Sequence, residues 1–431
     1  MRRRGLSRRR FLAQCLAALP AAQAGLRAAQ EARHVPGARD EGRRRDQPVP
    51  LAQLGERLRA TYPDLAHHFV FEYYPWYGTN PWVHWNADDR TPPGEIASSY
   101  LPALGPYDSR DRRVLEQHAT WITAAGVGAI NLSWWGRGSY EDAAVHTVMD
   151  VMRAFGIQVT FHLEPYQGRT QNIVDDIKYL LREYGERRRW DAFLLVRHAN
   201  GAAAPAMKLF ESIMPETTTD CRGLVHRVPG YVPDPLWRVQ TERLKHELRT
   251  DFPGFMLIAD TLSVDRAIAG GFDGGTSADP YFRVERWDDV ASNFNARGMP
   301  FVFGVNAGFD AVPDKVVPDD PCYRPRRVEP SPDVDWNAEA SRQREHDASA
   351  RRIRQSFEKT VRLQTAPPSA NRHKGFFLVY VNSFNEWHEG TQFEPTMSYT
   401  SLTPAQRRAY HNAVAGAYRL ETLQDMMAQV L

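Results

Sequence analysis

The sequence predicts an α/β fold, and specifically a (β/α)8 TIM-type barrel with long βα loops, over residues 63–431. Short apolar runs alternate with amphipathic stretches seven or eight times in this region, which is typical of strands alternating with helices. The apolar runs are nearly continuous, as in parallel strands that are covered on both faces. About 360 residues also suits such a barrel. A doubly wound open sheet is the main alternative, but no Gly-rich phosphate turn follows any predicted strand.

The individual strands and helices follow from the period and length of the apolar pattern. The strand-like runs are 68–76, 128–135, 158–166, 192–198 or 204–210, 254–261, 272–279, 300–306 and 375–382. The helical patterns between them are 110–125, 140–155, 171–184, 237–249, 287–297, 351–365 and 403–424. The fourth strand stays open between two runs because residues 199–235 are irregular. Residues 312–342 are rich in Pro and charge, which predicts a long loop after the seventh strand.

The N-terminal residues are predicted to be an export signal followed by a linker. Ser7-Arg8-Arg9-Arg10-Phe11-Leu12 has the twin-arginine pattern, and an apolar run and the small-residue site Ala22-Gln23-Ala24 follow it. We therefore expect residues 1–24 to be a twin-arginine-type signal peptide and residues 25–62 to be a disordered or linker segment. The mature protein would be periplasmic or secreted. A basic amphipathic helix is the alternative for the same N-terminal residues.

The charge distribution argues against a nucleic-acid partner. The chain of 431 residues has a net charge of +2, but residues 1–46 hold 12 Arg against four acidic residues. Subtracting these from 54 basic and 52 acidic residues leaves 42 and 48, a net charge of −6, so no basic binding surface is predicted. No apolar stretch reaches the roughly 18 residues of a membrane-spanning helix. We therefore expect no stable membrane insertion of the mature chain.

Two cysteines, Cys221 and Cys322, would remain after removal of the signal peptide. In an oxidising compartment they could form a disulfide. They are equally compatible with two inert buried thiols, and the sequence leaves both possibilities open.

Aromatic, acidic and histidine side chains cluster where four predicted strands end. In a parallel barrel the active site lies at the carboxyl ends of the strands, so these segments should meet at one rim. One aromatic strand end usually reflects core packing, but four on one face suggest a site for sugars, whose apolar faces stack on aromatic rings. The candidate substrate-binding residues are Tyr74, Trp76, Tyr77, His84, Trp134, Trp135, His162, Glu164, Tyr166, Asn385, Trp387 and His388.

Glu386 and Glu389 are the candidate catalytic residues. They are three positions apart, so a tight or helical turn would bring their side chains to about 5–6 Å. A retaining glycoside hydrolase places its two carboxyl groups about 5–5.5 Å apart, one as the acid for the leaving oxygen and the other as base or nucleophile. The alternative is a solvated acidic turn in which Trp387 is the packing anchor.

The sequence resembles glycoside hydrolase family 99 in three motifs, which are Tyr74-Pro75-Trp76-Tyr77-Gly78, His162-Leu163-Glu164-Pro165-Tyr166 and Asn385-Glu386-Trp387-His388-Glu389-Gly390. The resemblance implies a (β/α)8 barrel and a retaining, endo-acting hydrolase of α-1,2-mannosidic linkages in an oligosaccharide or polysaccharide. It also implies that Glu386 deprotonates the sugar 2-hydroxyl, which attacks the anomeric carbon. Glu389 would protonate the departing glycan and later activate water. No metal and no cofactor are implied.

Other functions remain open on the same residues. A barrel hydrolase of another α-glycan or of a surface polysaccharide would use the same acids. A non-catalytic glycan-binding barrel would keep the aromatic rim but would not need the acid pair. His162, Glu164, His388 and Glu389 could together hold zinc, although no His-Glu-x-x-His motif is present and sugar contacts explain the same side chains.

Overall fold

Parallel strands form a barrel at the centre of the protein. The computed structural model describes residues 49–187, 189–278, 281–317 and 319–431. Within these residues one sheet contains nine strand segments, which are β1 (Phe69–Tyr73), β2 (Ala129–Trp134), β3 (Gln158–Leu163), β4 (Ala206–Leu209), β5 (Met256–Asp260), β6 (Gly274–Thr276), β7 (Phe301–Val302), β8 (Gly304–Asn306) and β9 (Val379–Asn382).

The barrel closes through a strand that is interrupted once. The order across the sheet is β7-β6-β5-β4-β3-β2-β1-β9-β8, with parallel pairing throughout. β7 pairs with β6 and β8 pairs with β9, while only Phe303 separates β7 from β8. The two segments therefore act as one strand, and the described chain forms an eight-stranded barrel. This confirms the predicted fold class.

Both faces of the strands are buried, which explains their nearly continuous apolar sequences. On β1, Phe69 and Phe71 belong to the large cluster between strands and helices, whereas Val70 belongs to the cluster inside the barrel. Apolar side chains such as Val302 and Ile258 fill much of the interior. A charged residue at an interior position therefore departs from the usual filling of such barrels.

Helices cover the outside of the barrel. They are α1 (Leu51–Thr61), α2 (Arg112–Ala124), α3 (Tyr140–Ala154), α4 (Arg169–Leu180), α5 (Asp234–Leu248), α6 (Val264–Ala269), α7 (Trp287–Ala296), α8 (Glu339–Thr365), α9 (Ala370–His373), α10 (Pro404–Ala409) and α11 (Tyr418–Met427). Side chains fix some helix starts: Asp111 accepts the Arg113 N–H before α2, and Ser139 accepts the Asp142 N–H in α3. Among the described residues, none of the helices is long and apolar enough to cross a membrane.

The connections between strands and helices contain short hairpins and single helical turns. Two-stranded hairpins pair Gly78–Thr79 with Trp82–Val83, Val196–Arg197 with Ala203–Ala204, Thr217–Thr219 with Val225–Arg227, and Phe309–Asp310 with Arg327–Val328. Single helical turns are Leu65–His68, Leu181–Glu186, Val284–Arg286 and Tyr399–Ser401. These loops supply the long connections that the sequence predicts for the barrel.

The prediction of a disordered or linker segment over residues 25–62 is wrong for Leu51–Thr61, which form α1. Leu54 and Leu58 of this helix are buried. Gly55 lies so close to the C-terminus that a Cβ at this position would be 2.7 Å from the Val430 Cα. The helix is therefore stabilised by a contact distant in sequence, which local composition does not reveal. Residues 1–48, with the predicted signal peptide and the rest of the predicted linker, lie outside the described residues.

α8 begins earlier than the apolar pattern predicts. It starts at Glu339, so the predicted loop 312–342 ends before its last four residues. The first turns of α8 bury Arg342, His346 and Ser349. Because this buried stripe is polar, hydropathy carries no helical period there.

Three further details differ from the prediction or refine it. β4 is the second of the two candidate runs, while 192–198 supplies only an isolated bridge and a two-residue hairpin strand. The predicted helix 403–424 is split into α10 and α11. Asn412 lies between these two helices, and its side-chain amide donates to the Leu101 and Met397 carbonyls at 2.9 and 2.8 Å. Asp279, the predicted end of the sixth strand, lies outside the described residues.

A disulfide joins two long loops at the carboxyl end of the barrel. Cys221 lies in the loop after β4 and Cys322 in the loop after β8, with their Cα atoms 5.4 Å apart. These loops flank β5 and β6 in the strand order. Of the two possibilities that the sequence left open, the structure contains the paired one.

Candidate active site

The ends of β1 and β9 are tied together at the rim. The side-chain oxygen of Asn385 accepts the Tyr74 N–H at 2.8 Å, and its amide donates to the Tyr74 carbonyl at 3.0 Å. β1 and β9 are neighbouring strands. The candidate residues that follow these strands therefore lie side by side, as the barrel prediction requires.

Glu386 lies on the buried side of the turn after β9 and is 1% exposed. Its N–H donates to the Ser383 Oγ at 2.9 Å, and its Oε1 accepts the His388 N–H at 3.1 Å. The Ser383 hydroxyl is also 2.8 Å from the Thr391 hydroxyl. The turn itself therefore fixes the direction of the Glu386 carboxylate.

Glu389 lies in the same turn but is partly exposed. Its carbonyl accepts the Asp310 N–H at 2.7 Å, and the His388 carbonyl accepts the Val312 N–H at 2.9 Å. The Asp310 carboxylate is buried and paired with the ring of His411. The segment after β8 thus clamps the backbone that carries Glu389. The two candidate acids consequently have different surroundings, one enclosed and one reaching solvent.

Histidine and tryptophan rings form a wall beside this turn. The His388 Nε2 donates to the His84 carbonyl at 2.9 Å, which leaves the His388 Nδ1 3.6 Å from the Glu386 Oε1. The His84 ring stacks on Trp76 with centroids 4.6 Å apart. Imidazole groups, which can hydrogen-bond a hydroxyl, and the apolar faces of aromatic rings therefore lie next to the Glu386 carboxylate.

Trp387 lies behind the turn. Its backbone N–H donates to the Tyr77 hydroxyl at 3.0 Å, and its indole N–H lies 3.1 Å from the Glu394 Oε2. Burial, together with the Glu386 charge, raises the pKa of Tyr77 well above its usual value, so this phenol stays neutral. Trp387 is fully buried and anchors the turn through these contacts, while its predicted contact with a sugar stays a prediction.

The ends of β2 and β3 contribute a second carboxylate region. The Ser133 hydroxyl donates to the Glu164 Oε1 at 2.7 Å, and both residues are buried. The His162 ring lies 6.5 Å from that of Tyr74 and 5.2 Å from that of Phe210. His162 thereby connects this region to the end of β1.

Two ionisable groups near Glu164 have strongly shifted pKa values. Burial raises the pKa of Glu141 to about 7, and the charges of Glu164 and Asp142 add to the effect. Burial lowers the pKa of Arg169 to about 10. Its guanidinium donates to buried backbone carbonyls at 2.6 and 3.0 Å. Such shifted groups concentrate at functional sites.

Known proteins of one family are similar to this chain. The family model described as Glycosyl hydrolase family 99 matches residues 64–199. A Danio rerio protein named glycoprotein endo-alpha-1,2-mannosidase-like protein is 30% identical over 361 residues, which cover 75% of this chain and 69% of that protein. The chain belongs to glycosyl hydrolase family 99. This confirms the family resemblance and makes the protein a glycoside hydrolase.

A second sequence relative and a solved structure support the same family assignment and fold. A Rattus norvegicus protein named glycoprotein endo-alpha-1,2-mannosidase is 29% identical over 370 residues, covering 77% of this chain and 68% of the relative. The solved structure of the GH99 endo-alpha-mannosidase from Bacteroides thetaiotaomicron superposes with a TM-score of 0.59 and 20% identity, covering 84% of this chain and 97% of that one. At 20% identity, the similarity to this solved structure shows a common fold.

One predicted sugar contact of the family 99 enzyme is wrong. Trp134 belongs to the cluster between strands and helices, and its indole N–H donates to Asp142 of α3 at 2.8 Å. Its ring packs against Tyr166 and Tyr179. Trp135, the next residue, is partly exposed and packs against the cluster that contains Tyr74 and Trp76. Alternation along β2 therefore gives the two tryptophans different roles.

The Tyr166 side chain contacts a helix of the outer layer. The Tyr166 hydroxyl donates to Asp176 of α4 at 2.6 Å, so this hydroxyl is engaged outside the site. Within the described ranges, no group of three or more His, Cys, Asp or Glu side chains is arranged to hold a metal ion. The remaining site assignments stay predictions of the family resemblance.

Sequence reasoning missed several residues of this region. Glu72 and Lys208 interrupt the apolar pattern of β1 and β4 and form a buried ion pair inside the barrel. Glu141 is a buried acid that interacts with the charge of Glu164, and Asp310 is a buried acid whose N–H donates to the Glu389 carbonyl. A charged residue within an otherwise apolar strand is the signal that could have identified the first two. Nothing local distinguishes Glu141 from an ordinary acid at a helix start.

Proposed function

We propose that this family 99 enzyme is a retaining, endo-acting hydrolase of α-1,2-mannosidic linkages in α-mannan or a mannose-capped glycan. The observation that carries the proposal is the turn after β9, where a buried Glu386 and a more exposed Glu389 lie beside an aromatic wall. The names of the Danio rerio and Rattus norvegicus relatives support the linkage.

In the proposed first step, Glu386 acts as the base. Its carboxylate takes the proton of the sugar 2-hydroxyl, and the 2-oxygen forms a bond to the anomeric carbon. The bond from that carbon to the leaving oxygen breaks, and Glu389 protonates the leaving oxygen. The sugar is thereby left as a 1,2-anhydro intermediate. The hydrogen bond from the His388 N–H to the Glu386 Oε1, together with the backbone contact of Glu386 to Ser383 that fixes the turn, supports this role.

In the proposed second step, water opens the intermediate. Glu389, now ionised, takes a proton from water, which attacks the anomeric carbon. The 2-oxygen regains its proton from Glu386, and the product has the original α configuration. The partial exposure of Glu389 supports this assignment, because this group must exchange a leaving glycan for water.

The proposed sugar contacts follow the same geometry. Aromatic rings would stack on apolar sugar faces, while the imidazole, amide and carboxylate groups would bind hydroxyls. The predicted sugar contacts other than Trp134 are Tyr74, Trp76, Tyr77, His84, Trp135, His162, Glu164, Tyr166, Asn385, Trp387 and His388.

The test is digestion of α-mannan, glucosylated mannose oligosaccharides and other α-glycans by the purified enzyme, with product sizing and early NMR of the new reducing end. We expect internal cleavage of α-1,2-mannosides and an initial α anomer, with Glu386→Gln as the inactive control. Cleavage of a different α-glycan would replace the substrate assignment. Binding without cleavage would indicate a glycan-binding barrel. An initial β anomer would refute the mechanism and would point to a wider acid pair such as Glu164 with Glu389.

We also propose that residues 1–24 direct export through the twin-arginine route, with the barrel of residues 63–431 as the catalytic unit in the periplasm or outside the cell. The twin-arginine pattern at Ser7–Leu12 supports this, and the Cys221–Cys322 disulfide suits an oxidising compartment. Replacing Arg8 and Arg9 by Lys should trap the precursor in the cytoplasm. Normal amounts of exported protein from that variant would contradict the assignment.

A further inference from the structure

Asp310 is a buried carboxylate that two distant parts of the chain hold in place. It lies in the short hairpin strand Phe309–Asp310, opposite Arg327 in the register of the hairpin, and the Arg327 Nε is 3.1 Å from its Oδ1. The ring of His411, which lies between α10 and α11, is paired with its Oδ2. The Asp310 side chain therefore ties the loop after β8 to the outer layer of the protein.

The Asp310 carboxyl ionises readily despite its burial. Burial by itself would raise the pKa of this group, but the pairing with His411 and the charges of Arg327 and Arg419 outweigh burial and hold the pKa below its usual value. Burying charges is costly, and well-packed apolar residues of similar volume are often as stable or more stable. Fold stability alone therefore gives no reason for a carboxylate at this position.

The backbone of Asp310 is in direct contact with the segment that carries Glu389. Its N–H donates to the Glu389 carbonyl at 2.7 Å. Gly390, the next residue, has a φ of 63°, and a Cβ at this position would lie 2.5 Å from the Asp310 carbonyl oxygen. Because the two backbones pack so closely, a shift of Asp310 displaces the backbone of Glu389 as well.

Arg419 of α11 fixes the chain just after Glu389. Its buried guanidinium donates to the Gly390 carbonyl at 2.8 Å and to the Gln392 carbonyl at 3.0 Å. The charge of Asp310 acts on the same guanidinium. Asp310 and Arg419 thus hold the backbone on both sides of the Glu389 carbonyl, while the Glu389 residue is partly exposed.

The two carboxylates of the catalytic turn are therefore fixed in different ways. The Glu386 carboxylate accepts the His388 N–H from within the turn, whereas the backbone of Glu389 is fixed from outside by Asp310 and Arg419. An acid must lie within hydrogen-bond reach of the atom that it protonates. A displacement of about 1 Å can lower a rate by about a hundredfold, so the anchoring of Glu389 bears directly on proton transfer.

We propose that Asp310 is a positioning residue for the acid Glu389 and acts through their backbone contact. The Asp310 carboxylate anchors the hairpin strand Phe309–Asp310, and this strand sets the place of the Glu389 backbone. The proposal rests on the proposed function, in which Glu389 protonates the leaving oxygen. It adds to the catalytic turn a residue that is fully buried and does not touch the substrate.

Asp310→Asn tests the proposal, because it keeps the shape of the side chain and removes its charge. The readout is the ratio of kcat/KM on a glycan to kcat/KM on an aryl mannoside whose very acidic leaving group departs without an acid. Asp310→Asn should lower kcat on the glycan about tenfold, leave KM for the glycan within about threefold of wild type, and lower activity on the aryl mannoside less than about threefold. The melting temperature of each variant shows that it is folded at the temperature of the assay.

Asp234→Asn is the matched control. It also removes a carboxylate charge that is paired with an arginine, because Asp234 of α5 is 2.6 Å from the Arg266 guanidinium of α6. Neither residue belongs to the catalytic turn. The control should keep the wild-type ratio of the two activities.

Arg327→Gln provides a milder form of the same test and decides the matter if Asp310→Asn does not fold. It removes one anchor of Asp310 at a side chain that is 17% exposed. The ratio of glycan to aryl mannoside activity should fall about threefold. In the Glu389→Gln background, Asp310→Asn should add no further loss on the glycan, because both changes act on one function.

Three outcomes would overturn the positioning role: the wild-type ratio in Asp310→Asn or Arg327→Gln, equal losses on both substrates, or a full additional loss of glycan cleavage on adding Asp310→Asn to Glu389→Gln. Failure of the proposed function has a different signature. If Glu389→Gln itself loses both substrates equally, Glu389 is not the acid and the positioning role falls with it. If the wild-type enzyme cleaves no α-mannoside, the proposed substrate is wrong, and the same ratio on the glycan that it does cleave and the matching aryl glycoside decides the role of Asp310.

Discussion

Replacing Glu141 by Gln is expected to stabilise the enzyme in a pH-dependent way. Glu141 lies in the first turn of α3, where burial raises its pKa from 4.5 to about 7. The unfolded chain ionises this carboxyl near its usual pKa, whereas the folded protein holds the proton until about pH 7. The unfolded state is therefore favoured progressively as the pH rises from about 4.5 to 7, and the effect levels off above that range.

The magnitude follows from the size of the shift. One pKa unit corresponds to about 1.4 kcal/mol, so the change from 4.5 to about 7 costs the folded wild type about 3 kcal/mol at pH 8. The Glu141→Gln side chain does not ionise and avoids this cost. The variant should exceed wild type by about 3 kcal/mol in free energy of unfolding at pH 8 and should match it near pH 4.

Urea unfolding of both proteins between pH 4 and pH 8 measures this difference. Glu116→Gln is a matched control, because the side chain of Glu116 on α2 is 44% exposed and pairs with Arg112 at the surface. That control should change the free energy of unfolding by less than about 1 kcal/mol at any of these pH values. A Glu141→Gln difference that is constant across the range, or a variant that is less stable at pH 8, would refute the reasoning.

Two further predictions concern the outer layer and the loops. Trp134→Ala should lower the free energy of unfolding by about 3–5 kcal/mol. Trp135→Ala should keep the wild-type melting temperature and raise KM. If Trp135→Ala instead lowers the melting temperature and leaves KM unchanged, Trp135 is a core residue and not a sugar contact. Cys221→Ser should lower the free energy of unfolding by about 2–4 kcal/mol, because the bridge with Cys322 spans 101 residues. Reductant should destabilise wild type equally and leave the variant unchanged, and an effect on both proteins would contradict this origin.

The barrel could be predicted because its strands repeat one simple pattern. Apolar runs and intervening amphipathic helices are local features, and the carboxyl ends of parallel strands always meet at one rim. The rim position of the Glu386 turn followed from that rule alone. The polar buried stripe of α8 and the packing of α1 against the C-terminus depend on distant contacts, so local hydropathy did not indicate them.

The roles of individual rim residues were harder to predict. Both faces of a barrel strand are buried, so hydropathy does not tell whether Trp134 or Trp135 faces the site. The Glu72–Lys208 pair depends on the arrangement of strands more than a hundred residues apart. The raised pKa of Glu141, in the first turn of α3, likewise depends in part on Glu164, which follows β3. These features require the assembled barrel, in which residues far apart in sequence become neighbours.

The most direct test of the central claim compares kcat/KM of Glu389→Gln on two α-mannosides, a glycan and an aryl mannoside with a very acidic leaving group. If Glu389 is the acid, the variant should lose cleavage of the glycan but retain most of its activity on the activated substrate, whose leaving group departs without protonation. Glu386→Gln should lose both activities, because the base is needed for either leaving group. Equal losses of the two activities in Glu389→Gln would contradict the assignment of acid and base in this turn.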